Sequence, residues 1–576
     1  MPTTASPDLR AHLSSLFEEA IRKVAPELHG SPSIVLETPR QSEHGDYACT
    51  VALQLAKSLK RAPREIAAQL VEALPASQYL ERAEIAGAGF INLFLKRSFK
   101  QQVVNRILAT GAAYGTSELG RRRKVQVEFV SANPTGPLHV GHGRGAAYGA
   151  SLANVLAAAG FDVSREYYVN DAGRQMDILT LSTWLRYLEA CGATVVFPAN
   201  AYQGEYVRDM ARKLRDRHPA RFKRDAPTAA AADEEAALDA LIAAAKAALG
   251  ADYEVVHGFA LNEQLADCRD DLAGFGVAFD NWYSERSLYD SGRVEQAIKM
   301  LEDKGHVFTE GGAKWFRSSA FGDEKDRVVQ RENGQHTYFA SDIAYHLDKY
   351  QRGFDLVIDV WGADHHGYIP RVKGALTALG LNPDQLTVAL VQFAVLYRGG
   401  QKVSMSTRAG EFVTLRELRR EVGNDAARFF YVLRKGDQHL DFDLDLAKSQ
   451  SNDNPVYYVQ YAHARVCSLL EQWGGDAGGL AVADTAALAS EQELALLSRL
   501  LEYPEAVENA AHDLSPHVIA FYLRELAAGF HSYYNATRLL VEDEQLKRAR
   551  LALAAAVRQV LRNGLALLGV SAPDKM

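Results

Sequence analysis

The residues of this chain best suited to chemistry lie in one segment, SANPTGPLHVGHGRG, at positions 131–145. It follows the apolar run VQVEFV and opens into a helical pattern. A strand that leads through a loop into a helix presents unpaired backbone N–H groups and the positive end of the helix dipole, which favour bound phosphates. His139 and His142 are three positions apart, on one helix face, and two imidazole donors there would stabilise charge that develops during phosphoryl transfer. The segment therefore predicts a phosphate-binding site with two histidines.

Small residues fill the same segment. Pro137 suits the first helical position, which needs no N–H donor. Gly141, Gly143 and Gly145 remove Cβ atoms from one region, so that a flat base or ribose can approach the backbone. A second interpretation stays open on these residues alone: the glycines permit tight packing of a helix on a sheet, and the histidines are satisfied surface groups.

Alternating strand and helix patterns surround this segment and must position it. KVQVEFV predicts a strand, LHVGHGRGAAYGASLANVLAAAG a helix, and DVSREYYVN the next strand, which is the pattern of a parallel βαβ unit. FDLVIDVWG predicts a further, fully apolar strand that ends in glycine and is followed by histidines. We therefore expect an α/β fold with a doubly wound parallel sheet, whose ligands bind at the carboxyl ends of the strands.

Three regions are predicted along the chain. Residues 1–110 predict an α+β domain, with a helical pattern in LRAHLSSLFEEAIRKV and a glycine turn before a strand in IAGAGFINLFL. Residues 111–448 contain the sheet, with an insertion at about 180–260 whose alanine-rich tract, 226–250, predicts a surface helix. Residues 449–576 carry apolar positions three and four apart and predict a bundle of helices without strands.

The composition excludes several classes of protein. A chain of 576 residues with 47% hydrophobic and 24% charged residues is typical of a multidomain globular protein. Its net charge of −8 gives no general attraction to nucleic acid, so any such binding must come from local surfaces. The four cysteines lie far apart without a CxxC pair, which argues against disulfides and a cysteine zinc site and suits a reducing compartment. No signal peptide or membrane span is predicted, and a cytoplasmic location is expected.

Longer sequence matches point to a family. HVGH resembles the HIGH signature of class I aminoacyl-tRNA synthetases, and EFVSANPTGPLHVGHGRG resembles the arginyl-tRNA synthetase family, over nearly the whole chain. The resemblance implies a Rossmann-like catalytic domain between an N-terminal additional tRNA-binding domain and a C-terminal helical DALR anticodon-binding domain. It also implies activation of L-arginine with ATP to arginyl-adenylate, with release of pyrophosphate. Transfer to the 2′-hydroxyl of the terminal adenosine of tRNA(Arg), with release of AMP, would follow.

The second class I signature, KMSKS, is altered in this chain. In the loop at 402–410, the tetrad that resembles it is SMST (404–407), so a serine replaces the phosphate-contacting lysine. We favour Lys124, before the strand that precedes HVGH, as the compensating cation, because a lysine at this place is thought to compensate in related enzymes. Lys402 is the competing candidate, and Arg408 is expected to assist.

An arginine substrate requires carboxylates, because its five N–H donors are costly to leave unpaired in a pocket. HTYFASDIAYHLDKY places Tyr338 and Asp342 four apart, on one face if the segment is helical, and resembles the family's Y-x-x-x-D element. The resemblance implies that Asp342 binds the guanidinium, with Glu128 as the second carboxylate and Tyr338 as a hydrogen-bond partner. It also implies that Asn133 holds the α-amino group. From the residues alone, Ser341 and Asp342 as a helix cap is the alternative.

The stretch WGADHH matches another family element, which lines the nucleotide pocket. Two adjacent histidines point in different directions and no third ligand is evident, so a structural zinc site is rejected. His366 is expected near the polar end of the amino acid, and Phe393 and Val395, in the apolar strand VQFAVL, are expected to hold adenine through backbone groups. The residues expected at ATP are Pro134, Gly136, His139, Gly141, His142, Gly362, His365, Val395, Met405 and Ser406.

The resemblance also implies partners. Mg²⁺ is expected to accompany ATP rather than to occupy a cage of protein ligands, and no structural metal is expected. Tyr461 and Tyr458 are the candidates to stack on tRNA bases, although tyrosines at this spacing also form core stripes. The family is generally monomeric, so a monomer is expected. Two other functions are weighed: a class I synthetase for cysteine, whose zinc ligands are missing here, and a catalytically silent tRNA-binding protein, supported only by the absent lysine.

Overall fold

The computed structural model of the chain describes residues 9–28, 30, 32–39, 41–228, 233–403 and 413–576. The signature-loop residues Met405, Ser406 and Arg408 lie outside these ranges, as does Ser404. The described helices and strands form an N-terminal α+β region, a central region around a parallel sheet and a C-terminal region of helices. No helix among those described has the length and apolarity needed to cross a membrane.

The N-terminal region is a small α+β unit with its own core. Its elements are α1 (Leu9–Val24), β1 (Leu36–Glu37), β2 (Tyr47–Cys49), α2 (Val51–Leu59), α3 (Pro63–Ala73), β3 (Leu80–Ala86), β4 (Phe90–Leu95) and α4 (Arg97–Thr110). The predicted segment LRAHLSSLFEEAIRKV is α1 in full, and its buried face includes Leu13, Phe17 and Ile21. The glycine turn before β4 is also present: Gly89 has φ +141°, and a Cβ there would lie 2.9 Å from the Cβ of Pro63. The strands are antiparallel in the order β1-β2-β4-β3.

The central region begins with the predicted strand–helix–strand unit, followed by the helices of the insertion. These elements are β5 (Lys124–Glu128), α5 (Val140–Ala158), β6 (Asp162–Val169), α6 (Arg174–Ala190), α7 (Glu205–Arg217), α8 (Glu234–Leu249) and α9 (Asp252–Gly274). The alanine-rich tract forms α8, which buries Leu238, Leu241 and Ile242 on one face and exposes the other. The apolar face of α8 therefore packs within the insertion, so α8 is not a wholly exposed surface helix.

The second half of the central region completes the main sheet and forms two smaller sheets. Its elements are β7 (Asn281–Ser284), α10 (Arg286–Asp290), α11 (Arg293–Asp303), β8 (Val307–Glu310), β9 (Ala313–Phe316), β10 (Arg327–Gln330), α12 (Tyr338–Gln351), β11 (Leu356–Gly362), α13 (Ile369–Leu379), β12 (Leu386–Val391), β13 (Ala394–Arg398), β14 (Gln401–Lys402), α14 (Leu415–Val422), α15 (Asn424–Tyr431), β15 (Leu440–Asp443) and α16 (Leu444–Lys448). The prediction of one strand over VQFAVL is wrong. The chain breaks at Gln392 and Phe393, because the Gln392 N–H donates to the Gly436 carbonyl, 2.9 Å away, outside either strand.

The main sheet is parallel throughout, in the order β12-β11-β5-β6-β7. β5 and β11 lie at its centre, with Glu128 paired to Asp359. The chain leaves β5 into the histidine segment and leaves β11 into the WGADHH segment, so both reach the same carboxyl edge. β8, β9 and β10 form an antiparallel sheet, and β13 pairs with β14 and β15 in a third.

The C-terminal region consists of helices, as predicted. They are α17 (Pro455–Trp473), α18 (Glu491–Leu501), α19 (Tyr503–His512), α20 (His517–Ala536) and α21 (Glu544–Leu567). Helix α4 packs with them: the Gln101 amide donates to the carbonyls of Ala486 and Leu488, and Val104 and Ile107 belong to the large shared core. The N-terminal core ends at Leu95, so α4 packs beyond the unit in which the predicted boundary near residue 110 placed it.

Candidate active site

A strained turn connects β5 to the histidine segment. Val130 and Ser131 both have positive φ, 68° and 40°, which is a genuine outlier for a β-branched valine. Hydrogen bonds hold the turn: Ser131 Oγ donates to Glu128 Oε1 (2.8 Å) and accepts from the Tyr168 N–H (3.1 Å). The Asn170 amide donates to the Ser131 carbonyl at 3.2 Å. Strain that is held this firmly is typical of functional sites.

The two histidines cap the start of α5 with their own rings. His139 Nδ1 accepts the Gly141 N–H at 3.0 Å, and His142 Nδ1 accepts the His139 N–H at 3.2 Å. An Nδ1 that accepts a hydrogen bond carries no proton, so each neutral ring must carry its proton on Nε2. The rings stack with centroids 3.7 Å apart. The helix start thus provides two Nε2–H groups side by side.

Burial keeps both rings neutral. It lowers the pKa of His142 to about 3, with His139 as a second cause, and it lowers the pKa of His139 as well. A lowered histidine pKa means that the neutral form is favoured in the fold and persists well below pH 6.5. At neutral pH the pair therefore offers hydrogen-bond donors and no positive charge.

The glycines of this segment make room for the protein itself. A Cβ at Gly141 would lie 2.7 Å from the His139 ring, and one at Gly143 would lie 2.8 Å from the Tyr431 ring. Protein side chains therefore lie beside these two glycines, and the approach of a base or ribose to their backbone stays a prediction. Gly145 faces no atom within 4 Å. Gly136 lies under the Tyr206 ring, 3.2 Å from the added Cβ, and Pro134 is buried.

The altered signature loop is anchored beside the histidines. The Val140 N–H donates to the Val413 carbonyl (3.1 Å), and the Leu415 N–H donates to the Leu138 carbonyl (2.8 Å). Thr414 and Glu417 then form a capping box that starts α14. The chain after residue 403 therefore returns at residue 413 directly against the start of α5.

The two lysine candidates lie at different places. Lys402 is exposed in β14, where the chain enters the signature loop. Lys124 is the first residue of β5, at the amino edge of the sheet, and its backbone N–H donates to Asp355. At a rise of about 3.3 Å per residue, roughly 13 Å of strand separates it from Glu128 at the carboxyl edge. This placement contradicts the preference for Lys124, because its side chain leaves β5 at the amino edge of the sheet, opposite to the edge at which the histidines lie.

If the expected arginyl-adenylate forms at this site, Lys402→Ala should slow its formation about tenfold, less than the loss of a buried donor would, because Lys402 is exposed. Lys124→Ala should leave the rate within about twofold, because most surface substitutions have small effects. Single-turnover kinetics with radiolabelled arginine would measure both variants. A slow Lys124→Ala enzyme beside a normal Lys402→Ala enzyme would restore the first assignment.

The predicted arginine residues lie at the start of α12. Tyr338 is the first residue of this helix and is 59% exposed, and Asp342 follows one turn later on the same face. The Tyr368 hydroxyl donates to Asp342, and burial raises the pKa of this carboxyl. The helix is capped at Thr337, so the alternative in which Ser341 and Asp342 form the cap is wrong.

Glu128 already has a cationic partner. Lys349 is fully buried, and its Nζ lies 2.5 Å from Glu128 Oε2 and 2.7 Å from Asp359 Oδ1. His346 Nε2 lies 2.9 Å from the other oxygen of Asp359. With its second oxygen bound to Ser131, Glu128 forms part of an internal network that includes His346 and Lys349 from the second half of α12.

Glu285, a carboxylate that sequence reasoning missed, is a better candidate than Glu128 for the second carboxylate of an arginine site. Glu285 directly follows β7 at the carboxyl edge and is 2% exposed. Its Oε1 accepts from Ser341 Oγ at 2.9 Å. In the part of the chain that the structure describes, its Oε2 and the Tyr168 hydroxyl make no hydrogen bond of ordinary geometry, although Tyr168 lies close enough to lower the pKa of this carboxyl. Burial, with Asp342 and Asp171 nearby, raises the pKa of Glu285 to about 7. Its position at the end of a parallel strand was the available signal.

The remaining candidates lie on the loops after the strands of the main sheet or, for Val395, in the third sheet. The Asn133 amide donates to Gln175 Oε1 at 2.6 Å, at an exposed position. Gly362 ends β11, and His365 and His366 follow it with exposed side chains. Val395 lies in β13, half-buried. Phe393, in the break before that strand, is 47% exposed.

Tyrosines on α17 form a second candidate surface. Tyr461 lies between Tyr457 and His531, with ring centroids at 6.0 and 5.5 Å, and its hydroxyl accepts from Arg465 at 3.0 Å. Tyr458 packs against His531 at 4.6 Å and against the core. Tyr461 thus belongs to an aromatic and cationic patch, whereas Tyr458, of similar half-buried character, also packs against the core.

Family models match most of the chain. Residues 11–95 match the arginyl tRNA synthetase N terminal domain, residues 103–210 and 271–436 match the catalytic domain of class I tRNA synthetases (R), and residues 459–576 match the DALR anticodon binding domain. The chain belongs to the arginyl-tRNA synthetase family. Its predicted α/β fold, with a class I catalytic domain and a helical C-terminal domain, is confirmed by these matches.

Individual relatives agree with this family. The arginine--tRNA ligase of Nitrosospira multiformis is 66% identical, with 99% of each chain covered. That of Azoarcus sp. is also 66% identical, over 99% of this chain and 100% of the relative. The solved arginyl-tRNA synthetase of Thermus thermophilus superposes with a TM-score of 0.76 at 26% identity, over 99% of this chain and 100% of that one. The prediction of an arginine–tRNA ligase is confirmed, and the two weighed alternatives, the cysteine enzyme and the silent tRNA-binding protein, fall away.

Proposed function

We propose that the carboxyl edge of the main sheet is where this chain activates arginine with ATP and transfers it to tRNA(Arg). The observation that carries this assignment is the pair of neutral, stacked histidines whose Nε2–H groups flank the start of α5. The arginine carboxylate attacks the α-phosphate of ATP there, pyrophosphate leaves, and His139 and His142 donate to the phosphate oxygens as charge develops. The terminal ribose hydroxyl of tRNA then attacks the adenylate and AMP leaves.

Two carboxylates are proposed to hold the guanidinium. Asp342 is one, and Glu285 is the other, because it is buried at the carboxyl edge close to Asp342 and no cation among the described residues is paired with it. Tyr338 closes the pocket from the exposed end of α12. Glu128, the second carboxylate expected from the resemblance, instead supports the pocket floor through Lys349.

The polar end of arginine is proposed to face Asn133 and His366. Asn133 would hold the α-amino group, and His366, exposed after β11, lies toward the carboxylate. ATP is proposed to lie across Pro134, Gly136, the histidines, Gly362 and His365, with Phe393 and Val395 toward adenine. Met405, Ser406 and Arg408 keep their proposed contact with ATP phosphates on the sequence resemblance alone.

Mg²⁺ is proposed to enter with the ATP phosphates. In the part of the chain that the structure describes, one group, His463, Cys467 and Asp574, brings three possible ligand atoms within 4.8 Å. It lies in the C-terminal region, where Arg558 and Arg562 already contact the thiol and the carboxylate, so it does not fit a cation held for catalysis. The phosphates themselves are the natural ligands of this hard ion.

The tRNA is proposed to contact the Tyr461 patch on the C-terminal helices. It is also proposed to contact the N-terminal region, which is the additional tRNA-binding domain. Stacking on Tyr461, with Arg465 over its ring at 4.6 Å, suits unpaired bases better than it suits duplex RNA. We also propose a monomer in the cytoplasm. Four free cysteines support a reducing compartment, and light scattering would measure the mass directly.

Arginine-dependent ATP–pyrophosphate exchange tests the whole assignment. Exchange is assayed in separate arms with and without tRNA. It should occur with arginine when tRNA is present, as the resemblance to the family implies, and should be far weaker with lysine or citrulline. Citrulline removes the positive charge at nearly constant shape, so two buried carboxylates should reject it by 10²-fold or more, roughly. Exchange that is absent under every condition would refute the enzyme assignment, and equal use of citrulline would refute the paired carboxylates.

A further inference from the structure

A buried arginine follows the histidines along α5. Arg144 is 1% exposed, and its hydrogen bonds go to four backbone carbonyls. Nη1 donates to Gln392 and Gln438, each at 2.8 Å, Nη2 donates to Lys435 at 3.0 Å, and Nε donates to Tyr431 at 3.4 Å. A guanidinium offers five donors in a fixed fork, so it can hold several carbonyls in one arrangement where an ammonium cannot.

These carbonyls belong to segments that border the proposed nucleotide pocket. Gln392 begins the break between β12 and β13, and the next residue, Phe393, is exposed. The Phe393 ring lies 3.2 Å from the position of a Cβ at Gly141, so it flanks the histidine turn. The Gln392 N–H donates to the Gly436 carbonyl at 2.9 Å, which ties the same turn to the loop at 435–438. Arg144 therefore connects the Gln392–Phe393 turn to the loop at 435–438, beside the histidine turn.

We propose that Arg144 is a positioning residue for ATP: it fixes the Gln392–Phe393 turn relative to the rings of His139 and His142. The inference rests on the proposed nucleotide site. The side chain itself is buried behind the turn, with its donors directed to backbone carbonyls. Its effect on ATP is indirect, through the distance between the adenine side and the phosphate side of the pocket, where displacements of half an ångström or so matter.

The chain provides a matched control. Arg428 is also 1% exposed and also binds backbone carbonyls, those of Leu568 (2.9 Å), Phe275 (3.0 Å) and Gly276 (3.3 Å). Burial lowers the pKa of both arginines to about 10. Arg428 joins α15 to the end of α21 and to the segment after α9, and none of its partners borders the nucleotide pocket. The two arginines thus share a structural role, and only Arg144 is proposed to influence ATP.

The test compares Arg144→Lys with Arg428→Lys in the full-length enzyme. Both should lower the thermal midpoint, because an ammonium leaves carbonyls unpaired. Arg144→Lys should raise KM for ATP about tenfold and leave KM for arginine within about twofold, the pattern of a misplaced nucleotide wall. Arg428→Lys should leave KM for ATP unchanged. An Arg144→Lys enzyme with normal KM for ATP, or an equal rise in both variants, would overturn the inference.

A second variant shifts the same turn without touching Arg144. A Cβ at Gly436 would lie 3.0 Å from the Leu390 carbonyl and 3.2 Å from the Tyr148 ring, so Gly436→Ala must move this loop by a few tenths of an ångström. It should also raise KM for ATP, and a normal value would count against the inference even if Arg144→Lys fails to fold. ATP binding measured by calorimetry separates this result from the function: wild type that binds ATP without arginine-dependent exchange would sink only the proposed reaction.

Discussion

Replacing His139 with asparagine is expected to slow arginyl-adenylate formation by about 10²–10³-fold while the fold keeps its stability. Asparagine is a strong helix N-cap, and its Oδ1 can accept the Gly141 N–H that His139 Nδ1 accepts now, at 3.0 Å. What it lacks is a donor at the position of Nε2. Single-turnover kinetics and urea denaturation on the same preparation would separate the two effects.

The complementary variant is His139→Gln. Its amide can reach toward the Nε2 position, but a longer side chain gives up the cap, which should cost about 1 kcal/mol of stability. Glutamine should therefore retain more of the rate and less of the stability than asparagine. His142→Asn should behave like His139→Asn, because His142 Nδ1 has the same accepting role at the His139 N–H. An asparagine variant with the wild-type rate would show that the Nε2–H donors are not used.

Replacing Asp342 with asparagine is expected to lower kcat/KM for arginine by about 10²–10³-fold, because truncating the charge of a buried pair costs 2–5 kcal/mol. The substitution keeps the shape and the contact from Tyr368. Steady-state exchange with arginine and citrulline would measure it, and the preference for arginine over citrulline should shrink. An unchanged preference would mean that Asp342 does not bind the guanidinium.

A matched pair of glutamine variants distinguishes the two candidates for the second carboxylate. Glu285→Gln should raise KM for arginine, whereas Glu128→Gln should mainly lower stability, because Lys349 then keeps only Asp359 as a charged partner. The pKa of about 7 adds a second readout. Glu285 loses its charge as the pH falls below 7, so wild-type KM for arginine should rise there, and the rise should be absent in Glu285→Gln. The reverse pattern would return the role to Glu128.

The elements that depend only on neighbouring residues could be predicted from the sequence. The spacing of apolar residues predicted α1 from Leu9 to Val24, and short apolar runs predicted β5 and β11, the latter ending in glycine. The histidine pair also lies where a strand, a loop and a helix start place it. These features depend on residues within one or two turns of one another, so the chain reveals them without its fold.

Features that depend on distant partners could not be predicted. The preference for Lys124 failed because sequence position does not reveal which edge of the sheet a residue occupies. The break within VQFAVL could not be predicted, because it depends on a hydrogen bond to Gly436, which lies more than forty positions later in the chain. Glu285 was overlooked since its contact, Ser341, lies on another helix, and Glu128 was assigned without knowledge of Lys349.

The turn at Val130 and Ser131 carries a consequence for how the glycine-rich segment works. Two successive side chains are held in the left-handed region, where glycine would rest without strain. A loose hinge would use glycine there, whereas a β-branched residue restricts the alternatives open to the chain before folding. The corner that carries the two histidines is consequently stiff, so less conformational entropy remains to be lost when a nucleotide binds than a glycine loop would lose.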